Sequence, residues 1–235
     1  MTTISVATRL VVAPLLVACG GPPPADHAAG HPGAHPHPHG HRHAHADHHD
    51  FSDTERFASM FDDPERDAWQ RPDEVVRHLE IGSEMTVADL GAGTGYFERR
   101  LAPVSARVLA LDGEPNMIEH LRARAEREGW RNVEARRVEP GDPGLPPASV
   151  DRILVVDTWH HLADRAAYAR RLREALRPGG FVLVVDFTLE SPHGPPPPMR
   201  VAAEQVIAEL REGGLDARVI DEALPYQWIV RAARR

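Results

Sequence analysis

Val87-Ala88-Asp89-Leu90-Gly91-Ala92-Gly93-Thr94-Gly95-Tyr96-Phe97, "VADLGAGTGYF", decides the fold. A short apolar run that ends near an acid and breaks into alternating glycines reads as a β-strand, a tight loop and the start of a helix. In an open α/β sheet such a loop lies at the carboxyl edge of the strands, where ligands bind beside the reversal of strand order. Glycines there let the backbone approach a ligand that a Cβ would push away. A dinucleotide fingerprint G-x-G-x-x-G/A fails, because counting from Gly91 puts Tyr96 in its last place. A phosphate-binding P-loop fails as well, because the chain contains no lysine.

Outward from this loop, short apolar strands alternate with amphipathic helices. Strands are predicted at 86–90, 106–112, 132–138, 150–157, 180–187, 216–221 and 226–233. Helices are predicted over "YFERRLA" (96–102), 114–128, 165–176 and about 199–212, with a further one after Pro72, a proline suited to a first helical turn. This alternation implies a Rossmann-like, doubly wound, mostly parallel seven-stranded sheet with helices on both faces and the last strand antiparallel. Three of the strands are near-continuous apolar runs, as burial on both faces requires.

The pattern D-x-G-x-G-x-G at Asp89–Gly95 resembles motif I of the class I S-adenosylmethionine-dependent methyltransferases. Three more motifs follow in the same order as in that family: "LALD" ending at Asp112, "VDRILVVD" leading into "TWHHL", and "RLREALRPGGFVLVVDF" at 171–187. The resemblance runs from about Asp62 to the last residue and implies S-adenosylmethionine as cofactor and a small-molecule acceptor. It implies that Asp89 and the backbone at Gly91 and Gly93 hold the methionine end, with Gly95 opening the helix. Asp112, with Gly113 beside it, would hold the ribose hydroxyls, and Asp142 would stand near the adenine, although its loop departs from the usual spacing.

Methyl transfer from a sulfonium is an in-line displacement, so alignment of the acceptor is the main task. A hydroxyl or ammonium acceptor also needs a base, and Asp157, His160 and His161 in "DTWHH" follow the fourth strand directly. Adjacent side chains in an extended stretch point opposite ways, which favours one histidine, His160 narrowly over His161. Upstream, "FDDPERDAWQRPDE" reads either as a charged surface helix or as a lid in which Arg66, Trp69 and Gln70 reach the ligands. Tyr96 and Tyr226 are further candidates for the pocket wall.

The amino-terminal part follows a different logic. Residues 1–19 carry one positive charge, Arg9, and a nine-residue apolar run, too short to span a bilayer but suited to a signal-peptide core. Its end, Leu16-Val17-Ala18-Cys19, resembles the lipobox of bacterial lipoproteins, which implies lipidation at Cys19. The predicted address is a lipid anchor in the cell envelope facing the periplasm, on the outer membrane of a Gram-negative cell, or the cytoplasm if the signal is not used. Residues 20–50, rich in Gly, Pro and His, read as a disordered linker, and 51–235 as the methyltransferase domain. Ten of the fifteen histidines fall between His27 and His49. His35, His37, His39, His41, His43 and His45 alternate, a spacing that suits either weak, exchanging coordination of Zn, Ni or Cu or a plain solvated spacer.

The formal charge of −8 argues against a nucleic-acid partner. Cys19 is the single cysteine, so the globular part has no thiol with which to hold a metalloid substrate. An alternative reading is a non-catalytic Rossmann-like lipoprotein module that displays its His-rich tether to Zn, Ni or Cu.

Overall fold

In the computed structural model, residues 54–221 and 224–234 are described. The predicted signal peptide, Cys19 and the linker with its six alternating histidines lie outside them.

Seven strands form one sheet: β1 (Thr86–Leu90), β2 (Arg107–Asp112), β3 (Val133–Arg137), β4 (Val150–Val156), β5 (Leu176–Phe187), β6 (Leu215–Val219) and β7 (Gln227–Arg234). Their spatial order is β3-β2-β1-β4-β5-β7-β6. β1 pairs in parallel with both β2 and β4, so the chain reverses its winding direction at the strand that carries Asp89. β5 continues the parallel set, and β7 runs antiparallel to both of its neighbours. The predicted doubly wound sheet with an antiparallel last strand is therefore the observed one.

Among the described residues seven α-helices surround it: α1 (Thr54–Phe61), α2 (Arg66–Gln70), α3 (Pro72–His78), α4 (Glu98–Leu101), α5 (Pro115–Glu128), α6 (Arg165–Ala175) and α7 (Ala203–Glu212). One face of the sheet packs under α6 and α7 through Ala169, Leu172, Val206 and Leu210. The other meets α3 and α4 through Val75, Leu79 and Leu101, with Phe181 at the centre. Ile118 and Leu121 of α5 cover Ala110 and Ala135. Each such side chain contributes roughly 1.5–3 kcal/mol by leaving water. Asp164 caps α6 by accepting from the Ala167 amide at 3.2 Å.

Two helices are shorter than their sequence pattern. α4 covers only four residues: Ala102 still has helical backbone, but Pro103 has no N–H with which to continue the ladder. The helix predicted near 199–212 splits into a 3-10 turn at Pro197–Met199 and α7 from Ala203. The intervening loop is held by Arg200, whose guanidinium donates to the carbonyls of Leu189, Ser191 and Pro195 at 2.6–2.9 Å. No described helix is long and apolar enough to cross a membrane.

Candidate functional site

The glycine loop leaves β1 at the reversal point. Gly91 has φ +76°, and a Cβ there would stand 2.1 Å from the Thr158 hydroxyl, so the β1 and β4 loops meet only because this residue has no side chain. The amides of Gly91 and Ala92 both donate to the Leu111 carbonyl, at 2.8 and 3.1 Å. Gly93 donates to Asp112 Oδ2 at 2.9 Å, and the Glu114 amide donates to Asp112 Oδ1 at 2.9 Å. Asp112 thus ends β2 against the backbone of the loop, and each oxygen keeps acceptor capacity. Its carboxyl is nonetheless pushed above the usual range, because burial outweighs the amides of Glu114, Gly93 and Gly113. Gly113 itself is tied by its carbonyl to Arg137 Nε at 3.2 Å. Gly95, at φ +90°, packs on Leu121 and Trp130 of the α5 layer.

Asp89 is 3 % exposed at the floor of this loop. Burial pushes its carboxyl up to about 7, a bond from Glu98 opposes that shift, and the nearby Asp112 charge adds to it. Asp142 stands apart from this group. Its carboxylate is exposed, accepts from the Gly144 amide at 2.9 Å and lies 3.7 Å from Arg171, so it is engaged in its own turn.

The second half of the site gathers at the ends of β4 and β5. Asp157 leaves β4 with φ +53°, a conformation that Asp tolerates better than most residues, and its amide donates to the Val185 carbonyl at 2.9 Å. Its Oδ2 lies 3.4 Å from Arg66, and its Oδ1 accepts from Gln227 Nε2. Burial pushes Asp157 up to about 7, against the charge of Arg66. A 3-10 turn at Trp159–His161 then separates the two histidines. His160 turns inward with its side chain 3 % exposed, and its Nδ1 sits 2.9 Å from Asp186 Oδ2, while His161 is exposed with its ring 4.1 Å from that of His160. Asp186 is 1 % exposed, and its Oδ1 also accepts from the Phe187 amide at 2.8 Å. Trp159 is wholly buried, its indole N–H donating to Glu209 at 2.9 Å.

The segment ahead of the sheet closes over both halves. The Phe61 ring lies 3.5 Å from the position a Cβ on Gly93 would take. Arg66 donates to the Phe61 carbonyl at 3.0 Å and to Gln70 Oε1 at 3.1 Å, and stacks 4.0 Å over the Tyr96 ring. Gln70 is fully buried and donates to Gln227 Oε1 at 2.5 Å, so its polar atoms are spent on joining the lid to β7. The Tyr96 hydroxyl donates to Asp67, which places Tyr96 in the lid seam. Trp69 packs on His193, Phe187 and Tyr226, with centroids 5.8, 5.7 and 6.3 Å away.

Sequence reasoning passed over several of these groups. Asp186 was visible as the lone polar residue near the end of the apolar run "FVLVVDF", and Glu98 as an acid just beyond the glycines. Gln227, His193 and Arg124 carried no local signal, since only the fold brings them to the site. Among the described residues no group of three or more His, Cys, Asp or Glu is placed to hold a metal ion.

Comparison with known proteins agrees with this geometry. Residues 88–182 match the model of a methyltransferase domain. A probable S-adenosylmethionine-dependent methyltransferase of Mycolicibacterium smegmatis is 35 % identical over 124 residues, 51 % of this chain and 46 % of its own length. A demethylmenaquinone methyltransferase of Tropheryma whipplei is 31 % identical over 120 residues, 51 % of this chain and 48 % of its own. The matched region thus spans about half the length of these curated relatives. The crystal structure of a SAM-dependent methyltransferase from Aquifex aeolicus superposes with a TM-score of 0.72 at 26 % identity, covering 80 % of this chain and all of that one. The fold is the Rossmann-like methyltransferase fold, and nothing in these matches supports a non-catalytic module.

Proposed function

Starting from a chain that carries a methyltransferase domain, we propose that it transfers the methyl group of S-adenosylmethionine to a small-molecule acceptor that must shed a proton. The observation that carries this reading is the buried His160–Asp186 pair at 2.9 Å, set at the ends of β4 and β5 next to the glycine loop.

The residues at the loop suit the cofactor. A side-chain-free cradle at Gly91 and an acid at the end of β2 with spare acceptor capacity match a methionine end and a pair of ribose hydroxyls. Bound there, S-adenosylmethionine would supply an electrophilic methyl group. The chain supplies alignment and proton handling. Asp186 accepts from His160 Nδ1–H, which fixes the tautomer and leaves Nε2 as the base that takes the acceptor's proton, a contribution of about 10²–10⁴-fold. Arg66 and Gln227 hold Asp157 from two sides, and Asp157 shapes the floor between cofactor and acceptor. The lid, with Trp69 and Tyr226, excludes water from the reacting atoms. A thioether or tertiary amine, which arrives with a usable lone pair, would not need the pair, whereas a hydroxyl or an activated ring carbon would. The Tropheryma whipplei relative acts, by its name, on demethylmenaquinone.

Calorimetric titration with S-adenosylmethionine tests the reading. Saturable binding is expected, weakened at least about tenfold in Asp112→Ala because two charge-assisted bonds are lost. Equal binding by both proteins, or by neither, overturns it.

We extend the proposal to the first residues, where Cys19 carries the lipid and residues 20–50 tether the domain at the envelope. Metabolic labelling with an alkyne fatty acid is expected to mark the chain and to be lost in Cys19→Ser.

A further inference from the structure

Glu98 opens α4 three residues after the last glycine of the loop, and it is fully buried. Neither of its carboxyl oxygens receives an N–H or O–H from any ordinary donor. Its neighbour is the Asp89 carboxyl, itself 3 % exposed, so two buried acids face each other. Two carboxylates have only lone pairs to offer, so a bond between them requires a proton. The cations that face the pair, Arg66 and Arg124, make no hydrogen bond to the Glu98 carboxyl. Arg66 of α2 donates to Phe61, Gln70 and Asp157, and Arg124 of α5 donates through Nη1 to Asp62 at 2.7 Å and to the Thr94 carbonyl at 2.9 Å. From β2 the facing group is Asp112, another acid. Two bare charges side by side in this interior would repel each other away from water, with no hydrogen-bonded cation on Glu98 to offset the cost.

We propose that Glu98 is a positioning residue for Asp89: it stays protonated in the folded protein at neutral pH, donates that proton to the Asp89 carboxylate, and fixes the remaining Asp89 oxygen toward the glycine loop. The inference rests on the methyltransferase reading only for what Asp89 then meets, the cationic methionine end of the cofactor. Burial drives Glu98 well above the usual carboxyl range, and the adjacent Asp89 charge adds to the effect.

The sign of the consequence is fixed. An acid that keeps its proton when folded and loses it when unfolded makes stability fall as pH rises above its unfolded value, about 4.3. Glu98→Gln replaces the shared proton by an amide donor that never titrates. Thermal unfolding of the cofactor-free protein between pH 5 and pH 8 is the experiment. The wild type is expected to lose about 4 °C or more relative to Glu98→Gln across that range, since a tenfold change in the folding equilibrium moves Tm by roughly 3–5 °C in a domain of this size. Parallel curves overturn the proposal.

Infrared spectroscopy in D2O gives a second readout with Glu98 in place. In an Asp157→Asn background, which removes the other buried acid that titrates near 7, a carboxylic-acid carbonyl band at neutral pH is expected, and it should vanish when Asp89→Asn is added, where the new amide donates and Glu98 can ionise. An Asp157→Asn protein without the band overturns the proposal even if Glu98→Gln does not fold. A protein that shows the band yet binds no S-adenosylmethionine keeps Glu98 in this role and loses the methyltransferase reading. Binding without the band has the opposite meaning.

Discussion

Two groups of acids stand at the carboxyl edge of the same sheet, and they are partnered in different ways. At β1 and β2, Asp112 leans on backbone amides while Asp89 and Glu98 face each other, and no basic side chain bonds to Glu98. At β4 and β5, Asp157 and Asp186 each have side-chain partners, Arg66 and Gln227 for the first and His160 for the second. Acids left without a cation form a receptacle for one, which suits a sulfonium and an ammonium. Acids locked to a histidine and an arginine hold side chains in place for proton transfer. On the proposed function, the fold separates cofactor capture from acceptor activation by one strand spacing.

The sharpest way to break this division is to remove the histidine pair. His160→Ala is expected to lower kcat by about 10²–10⁴-fold with an acceptor identified through release of S-adenosylhomocysteine. Asp186→Asn should cost less than His160→Ala, because it misorients the base without deleting it. Neither variant should change S-adenosylmethionine affinity by more than about twofold if the two halves are independent. A parallel loss of affinity in His160→Ala would merge them into one site.

Gly91 is where the halves touch, so it should answer in both. An alanine there carries a positive φ and a Cβ pressed on Thr158. Stability should fall by about 1–3 kcal/mol in denaturant unfolding. Shortening Thr158 to glycine in the same chain should recover part of that loss, leaving only the backbone term. An additive double mutant would place the cost wholly in the backbone.

Asp157 sharpens the comparison through pH. Its carboxyl titrates near 7 when folded and near 3.8 when unfolded. Its share of stability is therefore full below about pH 4 and lost as pH rises toward 7. Asp157→Asn tolerates the left-handed turn, keeps one acceptor oxygen for Gln227 or Arg66 and does not titrate, so its Tm should fall less than that of the wild type between pH 4 and pH 7. Curves of equal slope would mean that Arg66 keeps Asp157 ionised throughout.

The cofactor half was largely legible in the sequence because its parts are contiguous. Asp89, Gly91, Gly93 and Gly95 form one local motif, and Asp112 ends the next strand at a regular interval. The acceptor half was legible only in "DTWHH". Asp186, Gln227 and Gln70 come from segments 26 to 157 residues away from their partners, and sequence periodicity carries no record of which strand end faces which. Alternation in an extended stretch pointed to one inward histidine. The 3-10 turn delivers that result by another route, because it rotates His160 under the sheet edge and His161 out of it. Asp142, expected near the adenine, is exposed and engaged in its own turn.

The lid provides the smallest contrast. Arg124 is mostly buried, and its Nη1 reaches Asp62 of the lid at 2.7 Å and the Thr94 carbonyl of the glycine loop at 2.9 Å. Arg100 makes a bond of the same length to Asp73, but that carboxylate is 87 % exposed and touches nothing in the loop. An exposed pair contributes little, because solvent screens it and two long side chains must be ordered to make it. A pair that closes a lid over a ligand contributes to the affinity of that ligand, because only the closed form is counted as bound. Asp62→Asn should therefore weaken S-adenosylmethionine binding about three- to fivefold, the equivalent of roughly 1 kcal/mol. Asp73→Asn should leave it unchanged within about 1.5-fold, within the range of exposed pairs that contribute nothing measurable. If both variants weaken binding alike, the lid docks through its total charge, and the connection through Thr94 has no separate role.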